Sequence, residues 1–233
     1  MEAATALRAF AVLVALVASV VWAEDERPAD PAAPRRRSKA VEIIEKVRPT
    51  IVVVEATNQN GERVKSGTGI VLDAKGVVVA NARDLGGLKE LTVRLRDGQT
   101  CAATVGFIDK KADVALLVIK HSRPLHAAKI ANSDHGEQLR LGDSVLAVHV
   151  RSDASLSCSV GILSGGRDLA NVGEKLLQID SNIGPGLSPG VIIGMDGTFL
   201  GILIGNEEAR RSIGFAIPSN TIKKLMADLP APK

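Results

Sequence analysis

Aromatic side chains make up only 2% of the 233 residues, with four Phe, one Trp and no Tyr. A surface that stacks nucleobases therefore has almost nothing to stack them on, and a formal net charge of +3 gives no strong pull toward phosphate. Nucleic acid is excluded as a partner. With few aromatics, the core falls to Val, Ile, Leu and Ala, and the abundance of β-branched residues favours strands. Cysteine is nearly as scarce. Cys101 and Cys158 are too few for a disulfide scaffold. They are expected in different lobes as small buried apolar residues, with a disulfide between them as the alternative.

No apolar run is long enough to span a bilayer comfortably. Arg8 precedes the stretch Ala9 to Val21, which is shorter than the ~20 residues of a spanning helix. The stretch ends in Val21-Trp22-Ala23 before Glu24-Asp25-Glu26, so residues 1–23 read as an export signal cleaved after Ala23. The alternative is an uncleaved anchor. No cysteine follows closely, which argues against a lipid anchor. Cleavage removes Glu2 and Arg8, one charge of each sign, and leaves the balance at +3. The expected location is periplasmic or extracellular, with no stable membrane span after cleavage.

Residues 24–37 are rich in Pro, Ala and charge, end in Arg35-Arg36-Arg37, and read as a solvated linker. Ser38 is placed to cap a short helix with Val41, Ile44 and Val47 on one face, stopped by Pro49. From Thr50 the pattern becomes short strands: TIVVVEA, GTGIVLD, GVVVAN, ELTVRLRD, ATVGFID and DVALLVIK. Asp73 to Gly76 and Asp97-Gly98 are turns between them. Residues 121–141 are polar and irregular and hold His121, His126 and His135. A second set follows: SVLAVHV, LSCSVGIL, KLLQID, GVIIGMD, TFLGILI and IGFAIP, with a turn at Asp196-Gly197. Two sets of about six strands imply paired antiparallel β-barrels, the first over about 50–120 and the second over about 141–218. Ile222, Leu225, Met226 and Leu229 then repeat at helical spacing, which predicts a C-terminal helix docking one apolar face, and 230–233 are a tail. The fold class is all-β, with a short helix at each end of the folded region.

Gly184 to Gly190 reads GPGLSPG, a serine in a glycine-rich turn between two strands. Gly186-Leu187-Ser188-Pro189-Gly190 formally matches G-x-S-x-G, the elbow of α/β-hydrolases. That elbow requires a helix after the serine and a histidine further on. Here a strand, a DG turn and another strand follow, and all four histidines precede Ser188.

The other order, His then Asp then Ser on two barrels, brings a specific likeness. SGTGIVLDAKGVVVANARDLGG, ADVALLVI, QIDSNIGPGLSPGVIIGMDGTFLGILI and IGFAIPSNTIKKL resemble the protease domain of the HtrA/DegP family of trypsin-like serine proteases, over roughly residues 38–229. The resemblance implies Asp113 at the acid position, Ser188 at the nucleophile position, and Gly186 with Ser188 as oxyanion-hole donors. It places Arg83 of VVANARDL where the family carries its catalytic His. A guanidinium has donors and no acceptor, so Arg83 cannot take the serine proton. No histidine precedes Asp113, so no shift of alignment restores the triad. Loss of that His lowers turnover about a millionfold. Leu187 and Pro189 replace Asn and Gly around the serine, and Val191 replaces a Pro.

If the fold is kept, Arg83 and Asp113 are expected to pair. The alternative sends Arg83 to solvent and leaves Asp113 to backbone amides, and without a base Ser188 reads as a plain turn serine. Other groups are weaker: the three histidines of 121–135 read as surface residues, so no metal or cofactor is expected. His149 reads as an outward or hydrogen-bonded strand residue, and Glu207-Glu208 with Arg210-Arg211 as a solvated turn. The C-terminal PDZ domain usual in the family is not expected in this chain. The expectation is an exported, inactive serine protease homologue. It would bind an extended peptide or an unfolded protein segment, with assembly as a homo-oligomer or with an active relative also possible. The alternative is an active serine endopeptidase that cleaves unfolded proteins with a non-standard base.

Overall fold

The computed structural model describes residues 37–58, 60, 62–85, 90–133, 139–151, 153–169, 174–182, 190–206 and 212–229. Short runs of Val, Ile and Leu bounded by polar turns form strands β1 (Ile51–Thr57), β2 (Arg63–Val71), β3 (Val77–Ala80), β4 (Glu90–Arg94), β5 (Thr100–Asp109) and β6 (Val114–Ile119). They close as an antiparallel barrel in the order β1-β2-β3-β6-β5-β4. A second barrel contains β7 (Ser144–Val150), β8 (Leu156–Leu169), β9 (Glu174–Ser181), β10 (Val191–Gly194), β11 (Phe199–Asn206) and β12 (Ile213–Pro218). Its order, β10-β11-β12-β9-β8-β7, repeats the first barrel's connectivity. The paired six-stranded barrels expected from strand spacing are present.

Several strands are apolar on consecutive residues because both of their faces are buried. In β1, Val52 and Val54 point into the first barrel with Val78, Val93 and Leu117. Ile51 and Val53, on the opposite face, join Leu116 from the same barrel and Leu146, Val148, Ile193 and Phe199 from the other. Strand alternation thus builds a barrel interior and an interbarrel core from one run of sequence. The second barrel has its own interior, including Val145, Leu163, Ile179 and Ile192. A buried hydrogen bond from the Val150 N–H to Thr68 Oγ1, 2.8 Å, ties the barrels together.

The expected turns are built as their residues require. Asp73 Oδ1 accepts the N–H groups of Lys75, Gly76 and Val77 at 2.9–3.0 Å. Gly76 has φ +111°, and a Cβ there would stand 2.2 Å from the Ile119 carbonyl oxygen, so only glycine fits. The Gly197 N–H closes the Asp196-Gly197 turn on the Gly194 carbonyl at 2.9 Å.

Helix α1 (Lys39–Val47) buries Ile43 and Val47, with Ala40 and Ile44 packed against the core. Val41, expected on that face, is exposed. The buried stripe is offset because Ala40, Ile43, Ile44 and Val47 share one side of the helix at 3.6 residues per turn. Ser38 occupies the N-cap through its backbone carbonyl, which accepts from Val41 N–H, and its hydroxyl makes no cap bond. At the other end, helix α2 (Ser219–Ala227) buries Ile222, while Leu225, Met226 and Leu229 pack at the edge of the interbarrel core. No helix among the described residues is long and apolar enough to cross a membrane. The expected signal and linker lie outside the described residues, apart from Arg37.

Cys101 is buried in β5 and Cys158 is exposed on β8; both are free. The second cysteine departs from the expected burial. Cys158, Val160 and Ile162 alternate on one face of β8, and all three are exposed to solvent.

Candidate active site

Two turns of the first barrel bring polar groups to the seam with the second. After β3 the chain makes a 3₁₀ turn, Ala82–Asp84, closed by the Leu85 N–H on the Ala82 carbonyl at 3.0 Å. Burial of Ala82 anchors it, and Arg83 projects outward with half of its side chain exposed. Between β5 and β6, Asp109 Oδ1 accepts the N–H groups of Lys111 and Ala112 at 2.8 and 3.0 Å. That turn ends at Asp113 with φ 55°, a left-handed backbone that Asp tolerates better than most residues. Its carboxylate is 12% exposed.

The Asp113 carboxylate is held on both oxygens. Oδ1 accepts the Arg83 backbone N–H at 2.8 Å. Oδ2 accepts Arg83 Nε–H at 2.6 Å and the Asn81 amide at 2.9 Å. The structure therefore brings together two of the residues singled out from the sequence, in the expected ion pair. Arg83 also donates through Nη2 to the Ile204 carbonyl of the second barrel. Ile204 falls at a register shift in the β11–β12 ladder, between Leu203 and Gly205.

Asn81 is the residue that sequence reasoning missed. It is fully buried, and its amide donates to Asp113 Oδ2, to the Leu203 carbonyl at 2.7 Å and, at 3.3 Å, to the Asp113 carbonyl. The available signal was an amide two positions before Arg83 in an otherwise apolar strand end, where an unpaired polar group would be expensive. Leu203 in turn donates its N–H to the Gly190 carbonyl at 2.8 Å. Gly190 follows Ser188 by two residues, so one chain of hydrogen bonds runs from the end of the serine segment through Leu203 and Asn81 to Asp113 and Arg83. Ser188 and Gly186 lie outside the described residues.

Chemically, this cluster offers donors. Every Asp113 contact is with an N–H, and the group beside the acid is a guanidinium, which has no lone pair to accept a proton. The arrangement can fix a carboxylate and present N–H groups to a ligand.

Among the described residues, no histidine hydrogen-bonds this cluster. The His121 ring bonds Gln99 Oε1 at 3.0 Å and the Arg123 carbonyl at 2.8 Å. His126 is exposed and His135 lies outside the described residues. His149, expected outward or hydrogen-bonded, is buried on the β7 face that also carries Val145 and Ala147 of the second interior. Burial, with Arg151 adding to it, pushes its pKa down to about 4. No group of three or more potential metal ligands occurs among the described residues. The Glu207-Glu208 and Arg210-Arg211 segment is outside them.

Residues 67–202 match the family model for the trypsin-like peptidase domain. The chain belongs to that family. It is 30% identical over 211 residues to "Serine protease HTRA1" of Xenopus laevis, an alignment covering 85% of this chain and 45% of that protein. It is 34% identical over 170 residues to "Periplasmic serine endoprotease DegP" of Salmonella typhimurium, and 33% identical over 170 residues to the protein of that name from Escherichia coli K12. Each of these two alignments covers 70% of this chain and 35% of the relative. The chain thus spans less than half the length of these relatives. The matched interval contains Arg83, Asp113 and Ser188, so the family assignment and the candidate site rest on the same stretch.

Proposed function

We propose that this chain is an exported, HtrA-like trypsin-fold protein that binds extended or unfolded protein segments without cleaving them. The observation that carries the reading is the Arg83–Asp113 pair. In a serine protease triad, the acid orients an imidazole that takes the serine proton. Here the acid is spent on a guanidinium and a backbone N–H. Without the base, turnover by such a serine falls about a millionfold, leaving only what an oxyanion hole and binding contribute.

Binding does not need that base. The half-exposed Arg83 side chain turns a proton-accepting position into a donor. Backbone carbonyls or acidic side chains of a bound segment would meet it. The curated relatives carry names of serine proteases, two of them periplasmic, which supports export and a protein ligand. Assembly with itself or with an active relative fits the same reading.

The test is hydrolysis of a fluorescently labelled unfolded casein by the protein and by its Ser188→Ala variant, with casein binding followed by anisotropy. Equal background hydrolysis from both, together with binding, is the expected result. Hydrolysis that disappears in Ser188→Ala would overturn the reading and establish an endopeptidase with a base other than histidine at position 83.

A further inference from the structure

On the first barrel, away from the Arg83–Asp113 cluster, a cavity of about 480 Å³ opens between the Arg48-Pro49 turn, the β4–β5 turn and the segment around His121 to His126. Its size falls in the ordinary range for ligand sites. Val71, Leu95 and Leu125 give it apolar surface, and Arg48, Arg96 and Arg123 line it with three guanidinium groups. Asp97 is the single carboxylate among the described lining residues, and it stands 3.9 Å from Arg123.

The arginines are not equivalent. Arg96 is fixed by an Nη1–H bond to the Ala154 carbonyl at 2.8 Å, yet its Nε is buried with no partner. That nitrogen has next to no accessible surface, so a ligand in the cavity would meet Arg96 through its terminal Nη groups. Burial first, and then the positive charges of Arg48 and of the Glu55-paired Arg94, lower the Arg96 pKa. A smaller cavity of about 300 Å³ shares Arg48 and Arg96 with the first and continues to Ile44 and Leu156. Glu45 lines that second compartment, so it suits an uncharged residue. Two compartments meeting at two arginines fit an elongated ligand better than a compact ion.

We infer that this groove binds a short acidic peptide segment, its carboxylate held between Arg48 and Arg96 and its neighbouring apolar side chains on Val71, Leu125 and Leu156. None of the residues of the Arg83–Asp113 cluster lines either compartment. The site is therefore separate from the cleft of the proposed function and stands or falls without it.

The experiment is fluorescence anisotropy of the full chain with a labelled peptide alternating Glu and Leu. Controls carry Gln for every Glu, or Ser for every Leu. Arg48 is exposed, so Arg48→Gln leaves the fold intact, while Arg96→Gln also removes the bond to Ala154 and is read with its circular dichroism spectrum. Arg48→Gln is expected to weaken binding about tenfold, as for loss of one charge-assisted hydrogen bond. The Gln peptide should lose at least as much, the Ser peptide should also bind more weakly, and added salt should weaken the two peptides that carry Glu but not the Gln peptide. All of these variants are measured in an Arg83→Ala background, which removes the donor that the interbarrel cleft would offer the same peptide. No binding, equal binding of the Glu and Gln peptides, or indifference to Arg48→Gln would overturn the inference. Binding abolished in the Arg83→Ala background alone would overturn it too, by assigning the peptide to the interbarrel cleft.

Discussion

Either barrel, followed around from its first strand, shows the same order of first, second, third, sixth, fifth and fourth strand, yet corresponding connections carry different chemistry. The link between the third and fourth strands holds Asn81 and Arg83 in the first barrel, and Ser188 in the second. Around these links the alternating Val, Ile and Leu residues make two interiors and one shared core. Strand pairing and burial depend on that alternation, and in the first barrel the β3–β4 link adds Ala82 and Leu85 to the interior while Arg83 stays half exposed. A framework of this kind can carry a guanidinium–carboxylate pair beside one link and keep its fold.

If the two halves contribute equally to the shared core, matched truncations should be matched in effect. Leu116→Ala in the first barrel and Leu146→Ala in the second each remove a fully buried side chain of the interbarrel core. Each is expected to cost about 3–4 kcal/mol in denaturant unfolding, through lost transfer energy and the cavity left behind. A difference between them of more than about 2 kcal/mol would break the symmetry and show that one barrel carries the stability of both.

The polar seam should break that symmetry. Asp113→Ala removes the carboxylate acceptor that the Asn81 amide and the Arg83 guanidinium share and puts Ala at φ 55°. A loss of about 3 kcal/mol is expected, from the lost charge-assisted hydrogen bonds and the left-handed backbone together. Arg83→Ala should cost only about 1 kcal/mol, since its side chain is half exposed and Asn81 still holds the acid. Similar losses from the two variants would place the stabilisation in the ion pair itself, rather than in Asn81 and the Asp113 backbone.

His149 has no buried counterpart among the described residues of the first barrel. Its pKa is lowered from 6.5 to about 4 by burial and by Arg151. The unfolded chain then binds a proton that the folded one refuses, so stability is intact above pH 6.5 and falls as pH drops from 6.5 toward 4. The contribution is about 1–2 kcal/mol once solvent screening is allowed for. His149→Gln should flatten that part of the pH–stability curve. An unchanged curve would show that the ring does not titrate as its burial demands.

What was legible in the sequence followed from local rules. The strands came from apolar runs, the turns from Asp-Gly pairs, and the Arg83–Asp113 pair from opposite charges at two positions of a familiar pattern. The remainder depends on barrel closure. Asn81 reaches a carbonyl 122 residues away, and Arg83 one that is 121 residues away, at a ladder irregularity that no local pattern announces. The faces of α1 and β8 depend on what packs over them, and the burial of His149 on closure of the second barrel around the β7 face that also carries Val145 and Ala147. Alternation shows that Cys158 shares a face with Val160 and Ile162, but not that the face runs into solvent.

The cysteines give the smallest perturbation and a direct reading of that edge. Cys101 lies in the first interior, where burial and the nearby Asp97 push its thiol pKa up, so less thiolate is available to react. Cys158 sits in the open on β8. A maleimide added to the native protein should label Cys158 at least about tenfold faster than Cys101, with both reacting alike in denaturant. Cys158→Ser should leave only the slow phase and shift stability by less than about 0.5 kcal/mol, as an exposed substitution does. Equal native rates would mean that the first barrel opens as readily as the β8 face is exposed, and the two barrels would then differ in dynamics although they share one topology.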